Sequence, residues 1–304
     1  MKSLWTEKYR PADLDTYVFK DPDQRKLVEQ WIASGIIPHL LFSGAPGTGK
    51  TTLAKILIRA LGVMSVDVLE INASRENSVD VIRNKITGFV ETMPFGAFKV
   101  VLLDECDYMT PNGQAALRGV MEMYAEQARF ILTCNYPHKV IPAIHSRCQG
   151  YHIERLDQNE FTARAAQILI EEGVQFDIDN LDTYVKSTYP DLRKCINTLQ
   201  QHSVGGQLAS TATIEGTQDW KIAAIELIKA GNIRRARELI TRQAGRDEME
   251  EVFRWMYDNL ALWGRDDNQQ DEAVLIIRKG LVNHGLVADP EINLSATLIE
   301  LSQI

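Results

Sequence analysis

The sequence predicts an α/β domain built on a parallel sheet, followed by two all-helical segments. Three observations carry that expectation. Over residues 35–153, short apolar runs alternate with helical patterns, the alternation that builds a parallel sheet with crossover helices. Beyond residue 153 the strand signals stop and only helical spacing remains. Between the first strand and the first helix lies Gly44-Ala45-Pro46-Gly47-Thr48-Gly49-Lys50-Thr51, which fits GxxxxGK[ST] in the strand–loop–helix context that this motif requires.

Each element has its own signal. Strands are expected at 39–43 (HLLFS), 67–72 (DVLEIN), 99–103 (KVVLL), 129–133 (RFILT) and 150–153 (GYHI). Helices are expected at 50–61, 78–91 and 111–126, the last with Leu117, Val120, Met121 and Tyr124 at helical spacing. Asp157 followed by Glu160 resembles a capping box, opening a helix with Phe161, Ala165, Ile168 and Leu169 on one face. A second helix follows at 180–187, and a third from Pro190, with proline in its first turn. Residues 204–217, rich in Gly, Ser and Thr, read as a linker, and everything after them looks helical. The expected division is therefore 1–153, 154–205 and 206–304.

Composition narrows the class. With 304 residues, 45% hydrophobic and 24% charged, the chain has the balance of a soluble globular protein, which excludes wholesale disorder. No stretch approaches the roughly 18 uninterrupted apolar residues of a membrane helix, and MKSLWTEKYRP lacks the apolar core of a secretory signal. Cys106, Cys134, Cys148 and Cys195 stand far apart with no CxxC pair. That pattern argues against a zinc module or disulfide scaffold and suits a reducing cytoplasm. The formal net charge of -8 speaks against a nucleic-acid partner, whose proteins are ordinarily basic. Most of it, -5, lies in residues 213–304, and -3 in residues 1–212.

The chemistry centres on the glycine loop. Gly44, Pro46, Gly47, Thr48 and Gly49 let backbone amides curl around a phosphate chain, Lys50 reaches the outer phosphates, and Thr51, followed by Thr52, offers a hydroxyl to Mg²⁺. The apolar run 100–103 ends in Asp104-Glu105. Ligand sites of open α/β sheets lie at the carboxyl ends of strands, so both acids should arrive beside the phosphates. Asp104 is then the metal partner and Glu105 the residue that activates the attacking water. A solvated strand end is the other reading of that pair. The next strand ends at Asn135, whose amide either senses the γ-phosphate or is a turn residue before Tyr136-Pro137.

GAPGTGKT, LLDECD, LTCN, Ser146-Arg147-Cys148 and Pro190-Asp191-Leu192-Arg193-Lys194 stand in the order seen in AAA+ sliding-clamp loaders. WTEKYRP, INASRENSVDVIRNKI at 71–86 and QAALRGVMEMYA at 114–125 resemble the replication factor C small subunits. They also resemble the large ATPase subunit of phage clamp loaders, and the YPDLRK form and short tail lean toward the phage protein, which would place the chain in a host cytoplasm. The resemblance covers residues 3–203. It implies a P-loop AAA+ fold with an all-α lid and an all-α collar, ATP and Mg²⁺ as cofactors, and a DNA-stimulated ATPase. Its implied partners are primer–template DNA, a sliding clamp and further loader subunits, with no membrane.

The resemblance also assigns roles. Thr6, Glu7, Lys8 and Tyr9, with Val18, line the adenine pocket. Arg147 is a finger for a neighbouring subunit's nucleotide, a residue that can contribute ~10³ to 10⁵ in rate, where the bare sequence allows a surface arginine. Arg193 is a lid sensor for the chain's own γ-phosphate, although a cation at a helix start opposes the dipole and needs a compensating partner. Asn72 is a polar switch that holds Glu105 back until DNA binds. Gln114 and Arg118, four apart on one helix, share a face and couple DNA to the ATP site, or simply pack and solvate the helix. DNA phosphates would meet helix starts at Ser78 and Val79, with Arg83 nearby, and at Thr110 and Asn112. Asn77-Ser78 departs from the arginine–glycine pair common in the family, which puts a direct Asn77 contact in doubt. Met93 and Phe95, in FVETMPFGAF, are either clamp anchors or core. A helicase or branch-migration motor and a non-hydrolysing scaffold subunit are the rival readings, with a nucleotide-binding kinase behind them.

Overall fold

Five apolar runs become five parallel strands. The computed structural model describes residues 4–76, 78–153, 155–210, 220–243 and 249–304, and the side chains of 81–83 and 204 are outside that description. The chain enters through α1 (Trp5–Lys8) and α2 (Pro22–Ser34). The sequence reading does not anticipate α2, yet its signals are plain. Asp21 caps it by accepting from the Gln24 N–H at 2.8 Å, Pro22 stands in its first turn, and Gly35 ends it at φ 66°.

Then follow β1 (Leu40–Gly44), α3 (Lys50–Ala60), β2 (Val68–Asn72), α4 (Val79–Val81), a π-helical turn (Ile82–Ile86), α5 (Thr87–Val90) and β3 (Lys99–Asp104). After them come α6 (Pro111–Met123), β4 (Ala128–Cys134), α7 (Pro142–His145) and β5 (Gln149–Ile153). The sheet order is β2-β3-β4-β1-β5, parallel throughout. The middle strands are continuous apolar runs because helices cover both faces, leaving Leu40, Phe42, Val100, Val101, Phe130 and Leu132 buried. Their register sets Ser43 beside Cys134, Leu103 beside Leu132, and Asn72 beside Asp104. Gly44, Asp104 and Asn135 therefore leave the sheet at one edge. The expected 78–91 helix is interrupted: the π turn adds a residue to its turn before Ile86 and Val90 enter the core.

Beyond the sheet lie α8 (Gln158–Glu171), α9 (Ile178–Thr188), α10 (Leu192–His202), β6 (Ser203–Val204) and β7 (Gln207–Leu208). They are followed by α11 (Trp220–Lys229), α12 (Ile233–Gln243), α13 (Met249–Asp258), α14 (Asp267–His284) and α15 (Pro290–Leu301). Two compact units result, Met1–Arg164 with Pro190–Asn197, and Ala165–Tyr189 with Thr198–Ile304. Asp157 caps α8 by accepting from the Asn159 and Glu160 N–H groups, each at 2.9 Å. In the second unit, Ile225, Phe253, Met256, Ile277 and Leu298 form the core. Thr183 of α9 donates to Glu226 of α11 at 2.8 Å, and Lys229 donates to Thr183 at 2.9 Å.

Two sequence expectations are corrected. Residues 204–217 are not simply a linker: Ser203–Val204 and Gln207–Leu208 form an antiparallel hairpin across Gly205 and Gly206. Both glycines sit at positive φ, 65° and 82°, as a two-residue hairpin turn demands. Residues 211–217 of that stretch lie outside the described residues. The helix expected from Pro190 starts instead at Leu192, because Asp191 takes the cap position, accepting from the Lys194 N–H at 2.8 Å. Among the described residues no helix is long and apolar enough to cross a membrane.

His39 immediately precedes β1 and bonds across to β4, its Nδ1 accepting from the Phe130 N–H at 3.1 Å with its ring edge-on to Phe130. Burial, aided by the Arg129 charge, lowers its pKa from 6.5 to about 4. The unfolded chain therefore binds a proton that the folded chain refuses between those values, and stability falls as pH drops from 6.5 toward 4. His39→Gln, whose amide oxygen can still accept, should flatten that part of the curve in urea unfolding measured from pH 7 to pH 4. An unchanged slope contradicts the assignment.

Candidate functional site

The loop after β1 curls because two of its positions can take no side chain. Gly47 (φ 73°) and Gly49 (φ 87°) lie in the left-handed region. A Cβ on Gly47 would stand 1.8 Å from the Asp191 carboxylate, and one on Gly49 would stand 2.9 Å from the Tyr17 ring. Thr48 closes the turn by donating to the Ala45 carbonyl at 2.8 Å, and Tyr17 donates its hydroxyl to the Thr48 carbonyl at 3.3 Å. Lys50 lies back across the loop, with Nζ donating to the Gly44 and Ala45 carbonyls at 2.9 and 2.7 Å. Burial lowers its pKa to about 8. A polyphosphate in the loop would supply the anion that favours the charged form.

At the ends of β3 and β4 the polar groups converge on one carboxylate oxygen. Thr51 and Thr133 each donate a hydroxyl to Asp104 Oδ1 at 2.6 Å. The Thr133 hydroxyl also accepts the Glu105 N–H at 3.0 Å. Glu105 is the sole described non-glycine residue at positive φ (57°). A left-handed glutamate is uncommon and costs energy, so the Thr133 contact helps to hold the turn that sends this side chain out of the strand. Asp107, 7% exposed, accepts the Asn135 and Tyr136 N–H groups at 3.3 and 3.1 Å. Thus Asp107 fixes the backbone that carries Asn135.

Thr51 and Asp104 fit Mg²⁺. Both are hard oxygen donors, and this ion takes one or two carboxylates with phosphates and water for the remaining positions rather than an all-protein cage. Beside the loop a cavity opens between α1, the P-loop and the start of α10. Thr6, Tyr9, Val18, Gly47, Thr48, Gly49, Thr52 and Arg193, all expected from the sequence, line it. Glu7 and Lys8 do not. Glu7 pairs with Arg10 at 3.2 Å, and the Lys8 ammonium lies over the Tyr9 ring at 4.9 Å. Arg193 comes from the first turn of α10, where the Asp191 cap is the acidic partner such a cation needs. Burial raises the Asp191 pKa, partly offset by the Lys194 N–H and the Arg193 charge.

The remaining expected residues stand elsewhere. Arg147 is absent from the cavity lining: its Nη1 donates to the Ala143 carbonyl at 2.7 Å and its Nη2 pairs with Glu122. Asn72 Oδ1 accepts from the Ser74 N–H and hydroxyl at 2.9 and 2.6 Å rather than engaging Glu105, although its strand neighbour is Asp104. Gln114 and Arg118 differ in environment despite their spacing. Gln114 is buried, donating to the Met109 and Lys139 carbonyls at 3.2 and 3.0 Å and accepting the Ile141 N–H at 2.7 Å, whereas Arg118 is exposed. Thr110 caps α6 by accepting the Gly113 N–H at 3.2 Å, with Asn112 exposed beside it. Ser78 is exposed before α4, Val79 is half-buried in its first turn, and Asn77 and the Arg83 side chain lie outside the described residues. Met93 and Phe95 are 77% and 78% exposed, so they are not core. Buried Asp67 pins their loop by accepting the Phe95 and Gly96 N–H groups at 3.1 and 2.7 Å. The sequence reading passes over Tyr17, Thr133, Asp107 and Asp191. For Thr133 there is a signal: a hydroxyl residue two places before Asn135 on an otherwise apolar strand.

Comparison with known proteins identifies the family and the fold. Residues 40–155 match the ATPase family associated with various cellular activities. The replication factor C small subunit of Sulfurisphaera tokodaii is 39% identical, over 98% of this chain and 95% of that protein. The one from Archaeoglobus fulgidus is 38% identical over 83% of each. These relatives are archaeal rather than phage chains. Among solved structures, the RuvB Holliday junction branch migration motor of Thermotoga maritima superposes with a TM-score of 0.59 at 15% identity, covering 73% of this chain and 78% of that one. That likeness speaks for the fold alone.

Thr133→Val should separate binding from chemistry. It removes the hydroxyl that Asp104 and Glu105 share and leaves the part-buried Glu105 N–H without that partner, a loss of about 1 kcal/mol. ATP turnover should fall at least tenfold while nucleotide affinity stays within about threefold, and Thr133→Ser should retain most turnover. Equal losses in affinity and turnover, by nucleotide titration and phosphate release, would contradict the positioning role.

Proposed function

The chain belongs to the replication factor C small-subunit family of AAA ATPases, the ATPase subunits of sliding-clamp loaders, and from that premise we propose how its residues divide the work. The P-loop and Arg193 hold ATP in the chain's own site, with Mg²⁺ on Thr51 and Asp104. Glu105 activates the attacking water and Asn135 reads the γ-phosphate. Arg147 serves a neighbouring subunit's nucleotide. ATP binding assembles a spiral that opens the clamp and grips primer–template DNA, and DNA then triggers hydrolysis and release.

One observation carries the reading. Of the two arginines singled out, Arg193 lines the nucleotide cavity and Arg147 does not. Arg10 also lines the cavity but is paired with Glu7 at 3.2 Å, so a finger for this site would come from a neighbouring subunit, and a finger used in trans requires an oligomer. Residues 1–153 act as the nucleotide domain, 154–205 as the lid and 206–304 as the collar. Exposed Leu281, Val282, Leu286 and Ile292 on and after α14 give the collar apolar surface for assembly. Met93 and Phe95 offer the clamp two apolar anchors on a backbone fixed by Asp67. The start of α6, capped by Thr110, and the start of α4 at Ser78 and Val79 supply amides for DNA phosphates, with Arg83 on the same segment. Gln114, with Arg118 on the same helix, couples that end of α6 to the finger segment, and Asn72, bonded to Ser74 in this arrangement, would leave that contact to hold Glu105 back until DNA binds. The loop geometry around Lys50, Asp104 and Glu105 favours turnover over a scaffold role. A branch-migration motor shares the fold but not the family.

Arg147→Ala in the assembled complex should leave ATP binding intact and abolish DNA-stimulated turnover, by as much as ~10³-fold. Unchanged stimulated hydrolysis sinks the trans assignment. Gln114→Ala leaves the Ile141 N–H and two carbonyls without their partner. It should weaken DNA stimulation of the ATPase more than it weakens ATP binding, and normal stimulation would remove Gln114 from the coupling route.

A further inference from the structure

The Arg147 guanidinium is anchored through its two Nη nitrogens. Nη1 donates to the Ala143 carbonyl at 2.7 Å and to Ser146 Oγ at 3.2 Å, and Nη2 donates to the Glu122 carboxylate. A guanidinium has five N–H donors, so these three contacts leave two of them, Nε–H included, for another acceptor, and arginine's planar donor set suits a phosphate. Arg147 can therefore stay tied to Glu122 while it binds an anion from outside the chain.

Glu122 lies on α6, eight residues after Gln114, or about 12 Å along the helix. Gln114 holds the backbone of Lys139 and Ile141, which leads directly into α7 and Arg147. Glu122 holds the Arg147 side chain itself. The finger segment is thus gripped by α6 at two points, its entry and its tip. The ion pair is half-open to solvent, with side chains 31% and 46% exposed, so it adds little to folding stability. What it supplies is order: a free arginine loses much rotamer freedom when it docks, and a preset one loses less.

We propose that Glu122 is a positioning residue for Arg147, holding the guanidinium ready for a neighbouring subunit's phosphates and tying the finger to the helix whose start faces DNA. The inference rests on the trans-finger reading above. The test measures ATP turnover by the full chain assembled with its partner subunits, clamp and primed DNA. Glu122→Ala should lower DNA-stimulated kcat about tenfold, equivalent to about 1.4 kcal/mol, with KM for ATP and the Tm unchanged. Glu122→Gln keeps an acceptor and should fall between Glu122→Ala and the parent chain. Stimulated kcat within twofold of the parent in Glu122→Ala would overturn the proposal. So would a drop accompanied by a matching loss in Tm, the mark of a merely structural contact. If Arg147→Ala abolishes stimulated turnover while Glu122→Ala is normal, this inference alone falls. If Arg147→Ala is itself normal, the trans-finger reading falls with it.

Discussion

Asp104 Oδ1 is the point on which the catalytic arrangement depends. Two hydroxyls, Thr51 from the P-loop helix and Thr133 from β4, close on it at 2.6 Å. Three separate elements, the start of α3 and the ends of β3 and β4, are thereby tied at one atom. Parallel order alone brings the strand ends to one edge. The hydroxyl pair turns that proximity into a defined site, and through Thr133 it also braces the left-handed turn at Glu105. Asp107 extends the same logic to Asn135, so each polar residue facing the phosphates is held by a neighbour.

The two arginines divide along the same principle. Arg193 reaches the cavity from a helix whose N-terminal potential opposes it, and Asp191 balances that cost while packing against Gly47. Arg147 is balanced by Glu122 on a different helix, away from the cavity lining. On the proposed reading, a chain built this way binds nucleotide alone but completes its chemistry only beside another subunit. The net charge of -8 fits that economy. In the proposed assembly, helix starts would offer phosphates fixed amides without a basic patch, and several such weak sites would sum to firm binding.

Much of this arrangement is legible in the amino-acid sequence. The five strands fall within two residues of their expected bounds because apolar runs buried on both faces leave little ambiguity. The P-loop, Asp104-Glu105 and Asn135 are legible because local spacing and strand ends determine them. What escapes a sequence reading depends on contacts between distant segments. Thr133 and Asp107 matter through partners 28 or 29 residues away, and Tyr17 through a carbonyl 31 residues away. Gln114 and Arg118 show the reverse case: helical spacing implies a shared face, but packing buries one and leaves the other in water. Gly205-Gly206 shows a local signal open to misreading, since paired glycines mark a hairpin turn as readily as a linker.

DNA affinity measured as a function of assembly bears most directly on the account. Fluorescence anisotropy of labelled primer–template DNA should show weak, salt-sensitive binding by the isolated chain with ATP and Mg²⁺. Binding should tighten by two orders of magnitude or more, on the order of 3 kcal/mol, once partner subunits and ATP assemble the complex, and should be lost again when ADP replaces ATP. Tight binding by the monomer, or equal affinity with and without ATP in the assembly, would contradict it.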